Sequence, residues 1–330
     1  MIARKYFDAL LIGILLATAV PDRAAASTSK CASAPLMAGF SEFGQTGRMP
    51  ASLRQFLGDA EAQEIEPYGA FDNAYYVGIC WVSAWLITSP QGHVLIDALY
   101  GDFTRQLLVN IRVLGFDPED IKLVVATHGH FDHAGGMALL KKELAPGTRF
   151  AMTSEGWKEA AANAESNRRP FPMIKPDIVL ADGQEISGGD VKIQAFETPG
   201  HTMGTTSYAY DVRDGSKTYR AFTVGGLGLN AIKGPEQVEA YIASVKRIRS
   251  FTKTGTKTGT KTGTGMDSRP VQVHLTTHGF STSLPETSER LKARKPGEPH
   301  PLVDPEGFRR HLDQLQASAE ERLELERKKN

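Results

Sequence analysis

Cysteine is scarce in this sequence, with two residues, Cys31 and Cys80, among 330. A single pair excludes a disulfide-rich scaffold, and its wide spacing suits no zinc–thiolate site. If the protein is exported, the pair is compatible with a disulfide. Cys80 lies in an apolar stretch and is equally compatible with a small buried thiol, so both interpretations stay open.

The sequence also lacks net charge. Lys and Arg total 38 and are matched by 38 Asp and Glu, so no overall field favours nucleic acid as a partner. Hydrophobic residues make up 41% of the chain, which is enough for a sizeable globular core. The composition therefore favours a small-molecule substrate, with no nucleic-acid partner.

Long apolar runs are absent beyond the N-terminus, which has the layout of a secretory signal peptide. Arg4 and Lys5 precede an apolar run from Ala9 to Val20, and small residues continue to Ala26. The run of about twelve residues is short for a membrane span, which needs about 20. We therefore expect residues 1–26 to be a cleaved signal peptide, with no stable membrane anchor and a periplasmic or secreted mature protein.

Strand and helix patterns alternate through the rest of the chain. The aromatic stretch from Ala74 to Leu99 predicts strands, and its Tyr and Trp residues are expected in the core, with a substrate groove as the alternative. Asp102 is expected to cap the helix that follows. Ile121 to Ala126 and Val191 to Glu197 are two of the strand-length runs further on. The mixed order predicts a layered α/β architecture in a single domain over residues 27–330.

Two features near the C-terminus carry less chemical information. Thr252 to Gly265 reads TKTGTKTGTKTGTG, and a repeat without apolar residues predicts a flexible low-complexity surface loop. Lysines that steer anions are the alternative interpretation of this repeat. After it, Asp304 precedes an amphipathic C-terminal helix that we expect to pack against the domain.

The chemistry is concentrated in one hexapeptide, HGHFDH. It places His128, His130, Asp132 and His133 immediately after the apolar run from Ile121 to Ala126. Imidazole nitrogens and carboxylate oxygens are ligands that zinc accepts in proteins. Their density makes this segment a strong candidate for a metal site.

Two more histidines follow predicted strands in the same way. His201 comes after Val191 to Glu197, and His278 comes after Val271 to Leu275. Loops at strand ends assemble sites of this kind. Six ligands divide into two sets of three, and three protein ligands with an open position are typical of catalytic zinc.

These motifs, together with TPGHT and TTHG, resemble those of the metallo-β-lactamase superfamily over about Tyr75 to Thr282. The resemblance implies a four-layer αββα sandwich of two mixed β-sheets flanked by helices. It also implies two Zn²⁺ ions per chain. The first would be held by His128, His130 and His201, and the second by Asp132, His133 and His278.

Within that superfamily, the ligand sets resemble those of the third subclass of class B β-lactamases. The first two subclasses use a cysteine on the second metal, and no cysteine follows Cys80. Glyoxalase II, lactonases and tRNA-processing nucleases carry a metal-bridging aspartate where the segment from Thr223 to Asn230 has no acid. Third-subclass enzymes commonly place serines in this segment to hold the substrate carboxylate, whereas this chain has glycines. The candidate substrate-binding residues are therefore Asn230, Ser281 and Thr282.

The resemblance implies a zinc-dependent hydrolase, a β-lactamase in which hydroxide generated at zinc opens the ring. Asp132 would be the catalytic residue that orients this hydroxide or relays its proton. The alternative is an exported lactonase, or another ester or amide hydrolase, on the same dinuclear zinc fold. A second alternative is a zinc-binding protein without catalysis, which metal-dependent turnover would exclude.

Overall fold

The structure is a computed structural model that describes residues 31–46, 48–166, 169–254 and 269–328. The predicted signal peptide and most of the TKTG repeat lie outside the described residues. The start of the predicted loop is inside them, and Thr252 is buried there, with its hydroxyl donating to the Arg249 carbonyl over 2.8 Å. Thr252 therefore lies in a packed turn just after a helix that ends at Ser250, so it is not at the surface as expected, and the rest of the loop stays a prediction.

Seven strands form the first sheet, in the order of the sequence. The first four pair antiparallel, and the last three add in parallel. The fifth strand is almost wholly buried because both faces of the sheet are covered, as its continuous apolar run predicts. The strands are β1 (Tyr68–Phe71), β2 (Ala74–Tyr76), β3 (Trp85–Ile87), β4 (His93–Ile96), β5 (Ile121–Val125), β6 (Arg149–Thr153) and β7 (Ile178–Leu180).

Five strands form the second sheet, in the order β12-β11-β10-β9-β8. The neighbours from β8 to β11 are antiparallel, and β12 lies parallel to β11. The strands are β8 (Glu185–Gly188), β9 (Val191–Glu197), β10 (Thr206–Asp214), β11 (Lys217–Thr223) and β12 (Val271–His274). The bounds of β9 are those predicted, whereas β11 begins four residues earlier than the expected Ala221.

Ten α-helices are found among the described residues, and most of them pack on the outer faces of the two sheets. They are α1 (Ser33–Thr46), α2 (Ala51–Gly58), α3 (Ala60–Gln63), α4 (Gly101–Val113), α5 (Phe131–Ala134), α6 (Met137–Glu143), α7 (Ser154–Ala164), α8 (Pro235–Ser250), α9 (Leu284–Lys292) and α10 (Pro305–Arg327). Helix α4 begins at Gly101 after Tyr100, so the prediction that Asp102 caps it was wrong. Asp102 lies two residues beyond the N-cap position and occupies the first turn, where its negative charge interacts favourably with the helix dipole.

Alternation along the strands divides the core into three apolar clusters. Trp85, Val125 and Tyr208 face the space between the sheets, while Leu86 and Val124 point outwards towards α1, α2, α4, α6 and α7. The outer face of the second sheet packs against α8 and α10. The order of layers is therefore helices, sheet, sheet, helices, and the predicted αββα sandwich is confirmed.

A disulfide between Cys31 and Cys80 ties the N-terminal segment to the loop between β2 and β3. Helix α1 then packs beside the short 3-10 helix at Gly279–Thr282, where the Phe40 ring stacks on Phe280 with centroids 4.9 Å apart. Of the two interpretations left open by the sequence, the structure has the disulfide. No helix of the described ranges combines the length and apolar composition of a membrane span.

Candidate metal centre

Three segments carry the predicted ligands, and each follows the C-terminal end of a strand; the first includes the short helix α5. β5 leads to residues 128–133, β9 to His201 and β12 to His278. Because β5 belongs to the first sheet and the other two strands to the second, the loops meet between the sheets. The Thr206 amide fixes this junction by donating to the Thr127 carbonyl over 2.7 Å.

The first group of ligand atoms comes from His128, His130 and His201. Nε2 of His128 lies 3.0 Å from Nδ1 of His130, and Nε2 of His201 lies 3.2 Å from the same atom. Around a tetrahedral zinc with bonds of about 2.05 Å, donor atoms are separated by about 3.3 Å. The three nitrogens are therefore spaced as ligands of one metal ion.

The second group comes from Asp132, His133 and His278. Nε2 of His133 lies 3.3 Å both from Oδ2 of Asp132 and from Nε2 of His278. The remaining pair, Asp132 Oδ2 and His278 Nε2, is 3.9 Å apart. In each group all three ligand atoms lie within 4.8 Å of one another. The structure thus brings together all six residues predicted as ligands, in the two predicted sets.

Backbone carbonyls hold the outer nitrogens of two of these rings. Nδ1 of His201 lies 2.6 Å from the Gly228 carbonyl, and Nδ1 of His278 lies 2.9 Å from the Trp81 carbonyl. A carbonyl only accepts, so Nδ1 carries the proton and donates it. The lone pair of Nε2 is then left for a metal, as is usual for metal-binding histidines.

Asp97 holds the third ring, and sequence reasoning missed it. Its Oδ2 lies 2.8 Å from Nδ1 of His133, and its Oδ1 accepts from the Thr127 amide over 2.7 Å. The residue follows β4 in the left-handed region, with φ 67°, which costs a non-glycine residue free energy. A lone aspartate after an apolar strand was the available signal. Its role depends on β4 lying beside β5, which the sequence does not reveal.

Burial keeps most of the histidines neutral. It lowers the pKa of His201 to about 3, with the charge of His130 adding to the effect. It lowers the pKa of His278 to about 4, with His133 adding. Burial likewise lowers the pKa of His128. Neutral imidazole is the form that binds metal, so these rings are prepared for ligation at neutral pH.

His133 differs because two carboxylates face it. Burial opposes its charge, but Asp132 and Asp97 outweigh burial and raise its pKa to about 10. Burial likewise opposes ionisation of Asp132, and the neighbouring His133 and His278 still hold its pKa below the usual range. The second group therefore stabilises positive charge at its centre. A divalent cation bound there would take over that role and release the His133 proton.

The predicted substrate-binding residues lie in two of the same loops. Asn230 is exposed, two residues after the Gly228 carbonyl that holds His201. Ser281 and Thr282 are half-buried in the 3-10 helix after His278. The Ser281 hydroxyl donates to the His278 carbonyl over 2.7 Å. Substrate contact by these three residues stays a prediction.

The remaining described histidines lie away from the two groups. His274 stacks on Phe308 with ring centroids 4.6 Å apart and lies 5.4 Å from the His311 ring. His300 contacts the Ala70 carbonyl, and His93 packs edge-on against Phe116. None of the four belongs to either ligand group, as predicted from their sequence context.

Aromatic side chains form one wall of the centre. The Trp81 ring lies 5.8 Å from the His278 ring and 6.0 Å from the Phe131 ring. The Phe280 ring also lies 5.8 Å from His278. Of the strand-region aromatics expected in the core, Tyr76 and Trp85 are there. Trp81 is buried too, but it sits beside a ligand.

Comparison with known proteins agrees with this geometry. Residues 77–214 match the sequence family described as the metallo-beta-lactamase superfamily. A metallo-β-lactamase from Cronobacter sakazakii is 30% identical, with a TM-score of 0.66 over 82% of this chain and 99% of that one. The subclass B3 metallo-β-lactamase BJP-1 of Bradyrhizobium japonicum is 25% identical, with a TM-score of 0.65 over 80% of this chain and 96% of that one.

Several curated proteins that this chain matches in sequence are named for activities other than β-lactam hydrolysis. The acyl-coenzyme A thioesterase of Gallus gallus is 29% identical over 140 residues, which are 37% of this chain and 50% of that protein. The chain spans half or less of the length of the first curated relatives it matches. Sequence likeness to them is therefore confined to part of the fold, whereas likeness to the solved structures covers most of it.

Proposed function

Because the chain belongs to the metallo-β-lactamase superfamily, we propose that it is a zinc-dependent hydrolase that opens the ring of β-lactams. The supporting observation is the convergence of six side chains into two groups of three ligand atoms. Three protein ligands leave a coordination position open, which is the pattern of catalytic rather than structural zinc. The likeness to class B β-lactamases of known structure favours a cyclic amide as substrate.

The donor set suits zinc, which takes imidazole nitrogen and carboxylate oxygen in tetrahedral sites. His128, His130 and His201 would hold one ion, and Asp132, His133 and His278 would hold the other. When bound, zinc lowers the pKa of water towards about 7 and polarises a carbonyl group.

The protein side chains contribute orientation and a hydrogen-bond acceptor for the attacking water. Asp97 and the carbonyls of Gly228 and Trp81 hold three imidazole rings before any substrate arrives, so little reorganisation is needed during reaction. Asp132 is held ionised by the histidines around it. Its carboxylate can accept a hydrogen bond from the attacking water and so orient that water towards the ring carbonyl.

The test is turnover of nitrocefin by the purified mature protein. Activity should disappear when a chelator removes zinc and return when zinc is restored. Stoichiometric zinc binding without turnover of any hydrolysable substrate would instead support the non-catalytic alternative.

Ester or thioester hydrolysis is the second candidate, favoured by the likeness to a thioesterase over 140 residues. The same zinc-loaded preparation should be assayed against acyl-coenzyme A and against lactones. Efficient turnover of either, with no turnover of nitrocefin or carbapenems, would replace the β-lactamase proposal.

Export to the periplasm or medium is part of the proposal. The Cys31–Cys80 disulfide supports it, because disulfides persist mainly in oxidising compartments. N-terminal sequencing of protein recovered from the periplasm should begin near Ser27. Recovery in the cytosol with an intact N-terminus would reject this part of the proposal.

A further inference from the structure

A single arginine lies over the residue between two of the ligands. The Arg169 guanidinium carbon is 4.4 Å from the centroid of the Phe131 ring, which follows His130 and precedes Asp132 in the chain. One face of the Arg169 guanidinium rests on this ring, and the residue as a whole is exposed. This cation–π contact places a fixed positive charge at the edge of the metal centre.

The ring beneath Arg169 is itself held in place. Phe131 packs 5.0 Å from the Tyr100 ring and 6.0 Å from the Trp81 ring. Trp81 in turn lies beside the ligand His278. Arg169 therefore rests on an aromatic platform that continues into the wall of the metal centre.

The charge of Arg169 is not neutralised within the described protein. Over residues 31–46, 48–166, 169–254 and 269–328, no carboxylate forms an ion pair with it. Some of the other arginines in these ranges are ion-paired, such as Arg294 with Asp214 at 2.8 Å and Arg247 with Asp182 at 2.9 Å. A guanidinium that is pre-oriented and has no carboxylate partner is suited to bind a planar anion through two parallel hydrogen bonds.

Tyr100 shows that this charge acts near the site. Burial raises the pKa of the Tyr100 phenol, the Asp132 carboxylate raises it further, and the Arg169 guanidinium opposes both. The charge of Asp132, a predicted ligand, and the charge of Arg169 therefore both act on the pKa of Tyr100.

We propose that Arg169, seated on Phe131, is a specificity-determining residue that binds the carboxylate of the substrate. The residue selects anionic over neutral substrates, and it binds the substrate without touching the reacting bond. This inference rests on the proposed function for the choice of probe, and its test separates the two.

The test compares benzylpenicillin with its methyl ester, which lacks the negative charge but keeps the ring. Arg169→Ala in the zinc-loaded protein should lower kcat/KM for the acid roughly 10-fold, mainly through KM, because a charge-assisted contact to the bound substrate is lost. The ester should change by less than about 2-fold, since it makes no such contact. Arg169→Lys should give an intermediate value for the acid, because it keeps the charge and loses the planar fork.

Arg105→Ala is the matched control. Arg105 is an exposed arginine on α4 that lies 3.8 Å from Glu143, and its removal changes the net charge by the same amount. The control should leave the ratio of acid to ester turnover unchanged. Equal losses for acid and ester in Arg169→Ala, or no loss for the acid, would overturn the inference.

If the wild-type protein hydrolyses neither compound, binding of intact benzylpenicillin is measured at equilibrium instead. The proposed function fails only if nitrocefin and carbapenems are not hydrolysed either. Tryptophan fluorescence then gives the Kd of benzylpenicillin, because Trp81 contacts Phe131. A roughly 10-fold weaker Kd in Arg169→Ala for the acid alone would uphold the inference independently of turnover. Absence of such a charge-selective change would overturn it.

Discussion

Removal of the disulfide between Cys31 and Cys80 should lower the free energy of unfolding by an amount that follows from the length of the loop it closes. The bridge joins residues 49 positions apart. Closing a loop of this length lowers the entropy of the unfolded chain by about 14 cal/mol/K, which stabilises the fold by about 4 kcal/mol at 25 °C. Both cysteines are 1% exposed. Alanine is therefore the better replacement, because serine would bury two hydroxyl groups.

The position of the bridge connects it to the second ligand group. Cys80 precedes Trp81, whose carbonyl accepts from His278 over 2.9 Å. Helix α1, which follows Cys31, packs on the segment after His278 through Phe40 and Phe280. We therefore expect the double variant Cys31→Ala/Cys80→Ala to bind its second metal more weakly, besides losing about 4 kcal/mol in the free energy of unfolding. The corresponding fall in Tm is roughly 8–16 °C.

Urea unfolding followed by circular dichroism measures the free energy, and chelator competition measures metal affinity. Wild-type protein in reductant should behave like the double variant, while the variant itself should not respond to reductant. A variant that is as stable as the oxidised wild type would refute the entropic argument. A variant that is destabilised but keeps full affinity for both metals would refute the coupling to His278.

Three further predictions concern single residues. His278→Ala should leave one bound zinc and lower kcat more than it raises KM, whereas His274→Ala should keep two zinc ions by mass spectrometry. Asp97→Asn should weaken zinc affinity roughly 10- to 100-fold in chelator competition, because the carboxylate orients the His133 ring. Burial lowers the pKa of His311 to about 4, so protonation below pH 6.5 favours the unfolded chain and stability falls as the pH drops towards 4. His311→Leu should therefore lose less stability between pH 7 and pH 5, by on the order of 1 kcal/mol in urea unfolding.

Each of these predictions has an outcome that would contradict it. Equal zinc loss in His274→Ala and His278→Ala would reject the sixth ligand. Unchanged zinc affinity in Asp97→Asn would mean that the His133 ring is positioned by packing alone. An unchanged pH dependence in His311→Leu would show that this histidine is solvated when charged.

The ligands were predictable because their signals are local in sequence. HGHFDH is one short segment that can be identified as a motif. The strand pattern of β9 is uninterrupted and ends four residues before His201, so this ligand can be assigned to a strand end. Tertiary contacts were not predictable in this way. Asp97 is one aspartate among many until β4 is placed beside β5, and Trp81 resembles any core aromatic until the β2–β3 loop meets His278.

The exact start of a helix and the structure of the N-terminal segment also could not be predicted from the sequence. Asp102 is a residue type that favours the N-cap, but Tyr100 occupies that position and α4 begins at Gly101, in a segment where Leu99 and Gly101 both have positive φ. Helices α1 to α3 were not predicted at all. Helix α1 is held by the disulfide and by packing on Phe280, 240 positions away, while α3 is held by Gln63, whose side chain accepts from the Trp81 amide.

The origin of the loops in two different sheets gives the metal centre a mechanical role. Each ligand group takes two residues from the loop after β5 in the first sheet and one from a loop of the second sheet, His201 or His278. Each bound ion would therefore cross-link the two sheets of the sandwich. Any sliding of one sheet over the other would open both coordination shells at once. Substitutions in the core between the sheets, far from any ligand, should then change the metal affinities of both ligand groups in the same direction. Such substitutions could not tune the affinity of one group independently of the other.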